Sequence, residues 1–294
     1  MTDRPPTGTG ESGESGEPFE TGETFETGET FETGGTFEID ESRPSIARVY
    51  DAVLGGHTNF AVDRAIAAES LRIVPEIGDV GRYNRAVLGR GVRYLARSGI
   101  RQFLDLGSGL PTARNTHQVA RAAAPDSRVV YVDNDPIVLA HGRELLAEDD
   151  RSTVVLADLR DPRNVLDHPQ VRRLIDFDLP VGLLLLGVIH HLNDEEDPAG
   201  LVRTFLDAVP RGSWLFLTHF CASGPEAAGL ERALLTDLGT GRFRTLEEIT
   251  AYFDGLELVE PGVTYLPLWR PVTPVEPPLT VGQSLMAGGL ARKV

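Results

Sequence analysis

The stretch FLDLGSGLPT, residues 103–112, is a short apolar run that ends in a Gly-x-Gly turn directly after an acid. Asp105, Gly107 and Gly109 stand where a buried strand hands the chain to a helix. Glycines there let the backbone approach a ligand that any Cβ would hold off. The next apolar run, RVVYVDNDP (128–136), ends in another acid, Asp133. One acid at the glycine turn and a second for ribose hydroxyls is the layout of a nucleoside-binding α/β fold. The dinucleotide fingerprint G-x-G-x-x-G is not met, because its third glycine position holds Thr112, and this disfavours an NAD-dependent oxidoreductase.

Around this stretch, strand and helix patterns alternate. Strands are predicted near 101–106, 128–133, 152–157, 181–186 and 213–219, and helices near 116–124, 136–147, 163–175 and 198–209. Several strands are apolar throughout, as expected when helices cover both faces of a parallel sheet. Upstream, helical spacing runs through SIARVYDAVL, is interrupted at Gly55-Gly56, and resumes through AVDRAIAAESLRIV to Pro75. A third stretch, 80–99, stops at Gly99, a C-cap signal. Downstream, Thr245-Leu246-Glu247-Glu248 matches a capping box before ITAYF. LELVE and VTYLPLW, separated by Pro261-Gly262, read as an antiparallel pair, because so short a turn excludes a crossover. The expected architecture is α/β. Its mostly parallel seven-stranded sheet has helices on both faces, an antiparallel C-terminal hairpin and extra N-terminal helices. Residues 43–99 form the helical cap, 100–271 the core and 272–294 a C-terminal extension.

Composition narrows the class. A single cysteine, Cys221, excludes an intramolecular disulfide and a multi-cysteine metal site, and fits a reducing cytosol. The longest apolar stretch, VGLLLLGVI (181–189), is far short of a membrane span, and the acidic amino terminus is unlike a secretory signal. A cytoplasmic protein without membrane contact is expected. Residues 1–42 hold twelve acids against Arg4 alone, a charge of −11 out of −16, so the remaining 252 residues carry only −5. That body has no attraction for nucleic acid phosphates. Within 1–42 the hexad ETGETF occurs at 20–25 and 26–31, then as ETGGTF at 32–37, spacing Phe19, Phe25, Phe31 and Phe37 six apart. Glycine and like charge leave too little apolar surface to offset chain entropy, so a disordered tail is expected. It is read as a solubilising segment, with docking of its phenylalanines on a protein partner as the alternative.

From about Pro44 to Pro271 the chain resembles the actinobacterial SAM-dependent (S-adenosylmethionine-dependent) methyltransferase family, long classed as a domain of unknown function. The segments that carry the resemblance are PSIARVYDAVLGGHTNFAVDR, FLDLGSGLPTARNTH, VVYVDNDP, ADLRDP, GVIHHLND and FDGLELVEPGVTYLPLWRP. The resemblance implies a class I, Rossmann-like methyltransferase fold with S-adenosyl-L-methionine as cofactor. It implies no particular methyl acceptor; a small molecule is the simplest expectation.

In that frame Asp105, Gly107 and Gly109 receive the methionine moiety and Asp133 accepts both ribose hydroxyls. Asn134 lies against the adenine, while Asp158 and the Leu159 N–H meet its amino group and a ring nitrogen. Each acid alone reads equally well as a helix cap or turn residue. Three at successive strand ends do not, since open α/β sheets bind ligands there. His190 and His191, after the fourth strand, are candidate bases, since an unperturbed histidine pKa of about 6.5 suits that task. A pocket wall or capping contact is the competing reading, and His219 is a weaker candidate. Tyr50, His57, Asn59 and Arg64 around Gly55-Gly56 either complete an acceptor pocket under a lid or cap helix ends. Trp269-Arg270-Pro271 reads as edge packing. No metal-ligand spacing occurs, and Ser108 is not in a nucleophile elbow. A SAM- or nucleotide-binding sensor or scaffold without turnover is the rival to an enzyme, because no base is compelling.

Overall fold

The computed structural model describes residues 39–111 and 114–294. The hexad repeat and Thr112 lie outside the described residues. Three helices come first: α1 (Ile46–Val53), α2 (Ala61–Ile73) and α3 (Ile77–Arg97). Alternation follows through β1 (Gln102–Leu106), α4 (Thr116–Ala123), β2 (Arg128–Asp133), α5 (Pro136–Leu145), β3 (Ser152–Leu156), α6 (Pro162–Leu166), α7 (Pro169–Leu174), β4 (Gly182–Leu186), α8 (Pro198–Asp207) and β5 (Trp214–Phe220). The last part adds α9 (Pro225–Asp237), α10 (Leu246–Ala251), β6 (Glu257–Leu258), β7 (Thr264–Tyr265), α11 (Val281–Ser284) and β8 (Met286–Arg292).

The sheet order is β3-β2-β1-β4-β5-β8-β6, with β7 also on β8. β1 to β5 pair in parallel, and β8 runs antiparallel to β5. Strand order reverses between β1 and β4, which opens a crevice above their carboxyl ends. Successive strand residues point to opposite faces and both faces are covered, which is why these strands read as unbroken apolar runs. Phe103, Val129, Leu184 and Phe216 join one buried cluster with Val92 and Leu95 of α3. Leu104, Val130, Leu185 and Leu217 join the other, with Phe205 of α8. Trp269 is buried against Phe216, its carbonyl accepting a 2.9 Å hydrogen bond from Arg90 Nε, as edge packing predicted.

The fold class is as expected, but four local readings change. The predicted helix 163–175 is two helices, because Pro169 has no N–H to continue the ladder and the His168 side chain caps the new start by accepting the Gln170 N–H. α9 was not predicted. Pro261-Gly262 does not reverse the chain: β6 and β7 lie along one edge of β8 as a single interrupted strand, pairing Glu257 with Arg292 and Tyr265 with Ala287. The antiparallel neighbour of β5 comes instead from 286–292, inside the expected extension. Ordered packing also begins before Arg43, since Ile39 sits with Phe60 against Ala47, Leu110 and Ile137.

Candidate active site

Parallel register sets Leu106 beside Val132, so the glycine turn after β1 and the acid ending β2 meet at one sheet edge. The Gly107 and Ser108 N–H groups both donate to Val132 O, at 2.8 and 3.1 Å. Gly107 and Gly109 have φ of +70° and +65°. At Gly107 a Cβ would also overlap the Val188 side chain, so both conformation and contact require glycine. The Gly109 N–H donates to Asp133 Oδ2 at 2.8 Å, and the Asp135 N–H to Oδ1 at 3.0 Å. Each carboxylate oxygen therefore keeps a lone pair for a further donor, the arrangement a vicinal diol needs. Asp105 accepts a 2.7 Å bond from Thr116 Oγ1. Burial pushes the carboxyls of Asp105 and Asp133 each up to about 6.

Asp158 is placed beside this pair but is more committed than expected. Arg160 donates to it from the backbone N–H at 2.9 Å and from Nε and Nη2 at 3.0 and 2.6 Å, then reaches Glu196. Burial opposes its ionisation, but the Arg160 and Asn134 hydrogen bonds outweigh that and hold its carboxyl below the usual range. Asn134 thus contacts Asp158 directly. Leu159 packs against the second core cluster.

The three candidate histidines cluster where β4 and β5 end. The His190 ring lies 4.3 Å from that of His191, 5.4 Å from that of His219 and 4.5 Å from that of Phe220. His190 Nδ1 accepts the Phe220 N–H at 3.4 Å, so its proton resides on Nε2. Burial holds its pKa well below the ordinary value, with the neighbouring histidines and Arg244 adding to the effect. His219 is fully spent: Nδ1 donates to Phe220 O at 2.7 Å and Nε2 accepts from Arg244 Nη1 at 3.0 Å. Arg244 is itself held by Asp194 at 2.7 Å. His191 is partly exposed, bonded through Nδ1 to Thr240 Oγ1 at 3.0 Å, and burial lowers its pKa to about 4.

The amino-terminal residues divide. Asn59 bonds Asp51 and the Gly56 carbonyl at 2.8 and 3.0 Å and accepts from Arg64, which makes it a helix-turn residue. His57 is exposed. Tyr50 alone of the expected acceptor-pocket group faces inward, donating to Gly81 O at 3.2 Å and bonding Asn84. The cap is tied to the β2 loop: Ser45 Oγ donates to Asp135, whose other oxygen caps α5 at the Ile137 N–H. Buried Arg48 and Asp63 pair at 3.4 Å behind that link.

Three contributors were missed. Asn84 is buried on α3, with Oδ1 accepting from Thr218 Oγ1 at 2.8 Å. Its signal was a polar residue on the apolar stripe Val80, Asn84, Val87, Leu88. Arg85, next to it, lines a small cavity with Ser108, Gly109, Thr116 and Tyr131, and its positive charge acts on Asp105. Ser108 Oγ is buried with no hydrogen-bond partner among the described residues.

A model of an S-adenosyl methyltransferase family matches residues 32–294. The chain belongs to this S-adenosyl methyltransferase family. A candidate methyltransferase of Thermobifida fusca YX is 50% identical, with a TM-score of 0.84 over 86% of this chain and 96% of that one. A DUF574 family protein of Streptomyces avermitilis MA-4680 is 38% identical, with a TM-score of 0.83 over 87% and 99%. The plantazolicin methyltransferase BamL, solved with S-adenosylhomocysteine, shares the fold at 9% identity and a TM-score of 0.50 over 84% and 95%. No protein with a curated description matches the chain.

The residues present fit the cofactor of an S-adenosyl methyltransferase. The Ser108 hydroxyl and the Arg85 guanidinium, neither with a partner among the described residues, and the open lone pairs of Asp133 surround a turn that tolerates close backbone approach. This methyltransferase should bind its cofactor more weakly in acid. The two carboxyls favour the folded state below their ordinary 3.8, and that contribution is lost as pH rises through about 6. A cationic ammonium placed on Asp105 would reverse the balance, because it prefers the ionised form. Calorimetric affinity for S-adenosylhomocysteine is expected to fall by up to about tenfold per pH unit below 6 and to level off above 7. An affinity constant from pH 5 to 8 would contradict this placement.

Proposed function

We propose that this methyltransferase acts on a small-molecule acceptor, with the cofactor held between the glycine turn and Asp133 and the acceptor entering beside the β4 histidines. Asp133 takes the ribose hydroxyls, Asp105 the ammonium, and Arg85 the methionine carboxylate. S-adenosylmethionine, when bound, supplies a methyl group on a sulfonium sulfur, transferred by in-line displacement to a nucleophile. The chain's part is then alignment, exclusion of water and, for an acceptor that carries a proton, its removal.

The observation that carries this reading is the convergence at one sheet edge of the Asp105–Asp133 cradle and the inward-facing Tyr50, Asn84 and His190. The cap helices, tied down through Ser45 to Asp135, cover this edge. His190, with its proton on Nε2, is a hydrogen-bond donor to the acceptor. His191 is the better base, because it is partly exposed and Thr240 holds its other nitrogen. With its pKa near 4, the neutral form prevails at all physiological pH. The His191 step therefore speeds up as pH rises through about 4 and is flat from 6 to 8.

The test is transfer of labelled methyl from S-adenosylmethionine into a cell extract split by size. Label is expected in the low-molecular-weight fraction, and label confined to macromolecules would overturn the reading. With an acceptor in hand, His191→Ala is expected to lower kcat by about a hundredfold, the usual worth of a positioned base, with the KM for S-adenosylmethionine unchanged. An undiminished kcat would remove His191 from the chemistry.

A further inference from the structure

At the opposite edge of the sheet, where the strands begin, lies a second cavity of about 560 Å³. Its wall includes Arg101 before β1, Arg128 at the start of β2, Trp214 at the start of β5 and Arg292 at the end of β8. No acidic side chain lines it among the described residues, although the chain as a whole carries −16.

In an α/β sheet of this kind helices end at this edge, and their terminal carbonyls are partly negative. Two of the arginines answer that charge. Arg101 Nη1 donates to Ala96 O at 2.8 Å, ending α3, and Arg128 Nη1 to Leu174 O at 3.2 Å, ending α7. Arg101 also pairs with Asp126 at 2.9 Å. These bonds fix the guanidinium groups while leaving Arg128 Nε and Nη2 without a partner among the described residues. The Arg292 guanidinium makes no hydrogen bond or ion pair among the described residues, its backbone being paired across from Trp214 and Glu257, so helix capping does not account for it. Gln102 stiffens the remaining wall, donating to Asp176 O and Leu179 O at 2.6 and 3.0 Å and accepting from the Asp176 N–H at 3.0 Å.

We propose that this cavity is a second binding site, separate from the methyl-transfer centre, for a small molecule carrying a phosphate group. Guanidinium groups recognise phosphate oxygens through paired N–H donors, and groups already held by helix carbonyls lose little freedom on binding. The proposal does not depend on the acceptor assigned above.

Trp214 provides the readout: both tryptophans are buried in the same core cluster, but only Trp214 also lines the cavity. The full chain is titrated with inorganic phosphate and with glycerol 3-phosphate against sodium chloride at matched ionic strength, following tryptophan emission. A saturable change with either phosphate, absent with chloride and lost in Trp214→Phe, is expected. Arg292→Gln, at an exposed strand end, should weaken it at least tenfold while the circular dichroism spectrum stays unchanged. Arg128→Gln should weaken it as well. Response to the ester alone would identify an organic phosphate as the ligand, and response to both would identify the phosphate group. A response equal to that with chloride, or one untouched by Arg292→Gln, would overturn the proposal.

Discussion

Asp133→Ala is expected to weaken S-adenosylmethionine binding by a factor on the order of a thousand, measured by calorimetry. Two hydrogen bonds from ribose hydroxyls to a carboxylate contribute about 1.5–3 kcal/mol each, and each 1.4 kcal/mol is a factor of ten. The substitution also frees the Gly109 and Asp135 N–H groups that Asp133 now orders, so the glycine turn loses its anchor. Asp133→Asn keeps one acceptor and should lose only about ten- to a hundredfold. Unchanged affinity in Asp133→Ala, with the circular dichroism spectrum intact, would remove the ribose from this carboxylate.

The second large effect concerns the cap. Asp63→Ala is expected to destabilise the fold by about 3–5 kcal/mol, because it strands a buried guanidinium. Asp63 is fully buried; it accepts the Ser45 N–H at 2.9 Å and the Phe60 N–H at 2.8 Å, and it faces Arg48 at 3.4 Å. Thermal denaturation should show a fall in Tm on the order of 10 °C. Asp79→Ala, which breaks an exposed pair with Arg82, serves as the control and should cost under about 1 kcal/mol. Equal shifts in the two variants would mean that the cap is not held by its buried pair. Cofactor affinity should fall along with stability in Asp63→Ala, since Ser45 links the cap to Asp135 and the β2 loop.

The parallel half of the fold was legible because its strands are buried on both faces. Continuous apolar runs such as VGLLLLGVI and RVVYV admit few other readings. The glycine turn and the two acids at this edge were legible for a related reason: a positive-φ turn needs glycine, and two acids at successive strand ends have few structural duties in common. The carboxyl-terminal strand was not legible. MAGGLAR contains two glycines, which normally weaken a strand. Gly288 is needed because a Cβ there would overlap the Leu217 carbonyl oxygen of β5, so the residue that reads as a breaker is the one that permits the pairing. α9 was missed because it buries only Ala227, Leu230 and Leu234, a stripe too thin to stand out. At the site, the histidine pair was visible as a motif, but the tautomer of His190 depends on the Phe220 N–H thirty residues away. Asn59 and Arg64, close to Tyr50 in sequence, turn toward the α1–α2 turn, and only the fold could separate them.

A crystal structure of the full chain with S-adenosylhomocysteine decides whether the glycine turn and Asp133 hold the cofactor. The ribose hydroxyls are expected on Asp133, the ammonium at Asp105 and the carboxylate within reach of Arg85. The ligand bound with its ribose elsewhere, or a glycine turn left empty at saturating concentration, would contradict this placement.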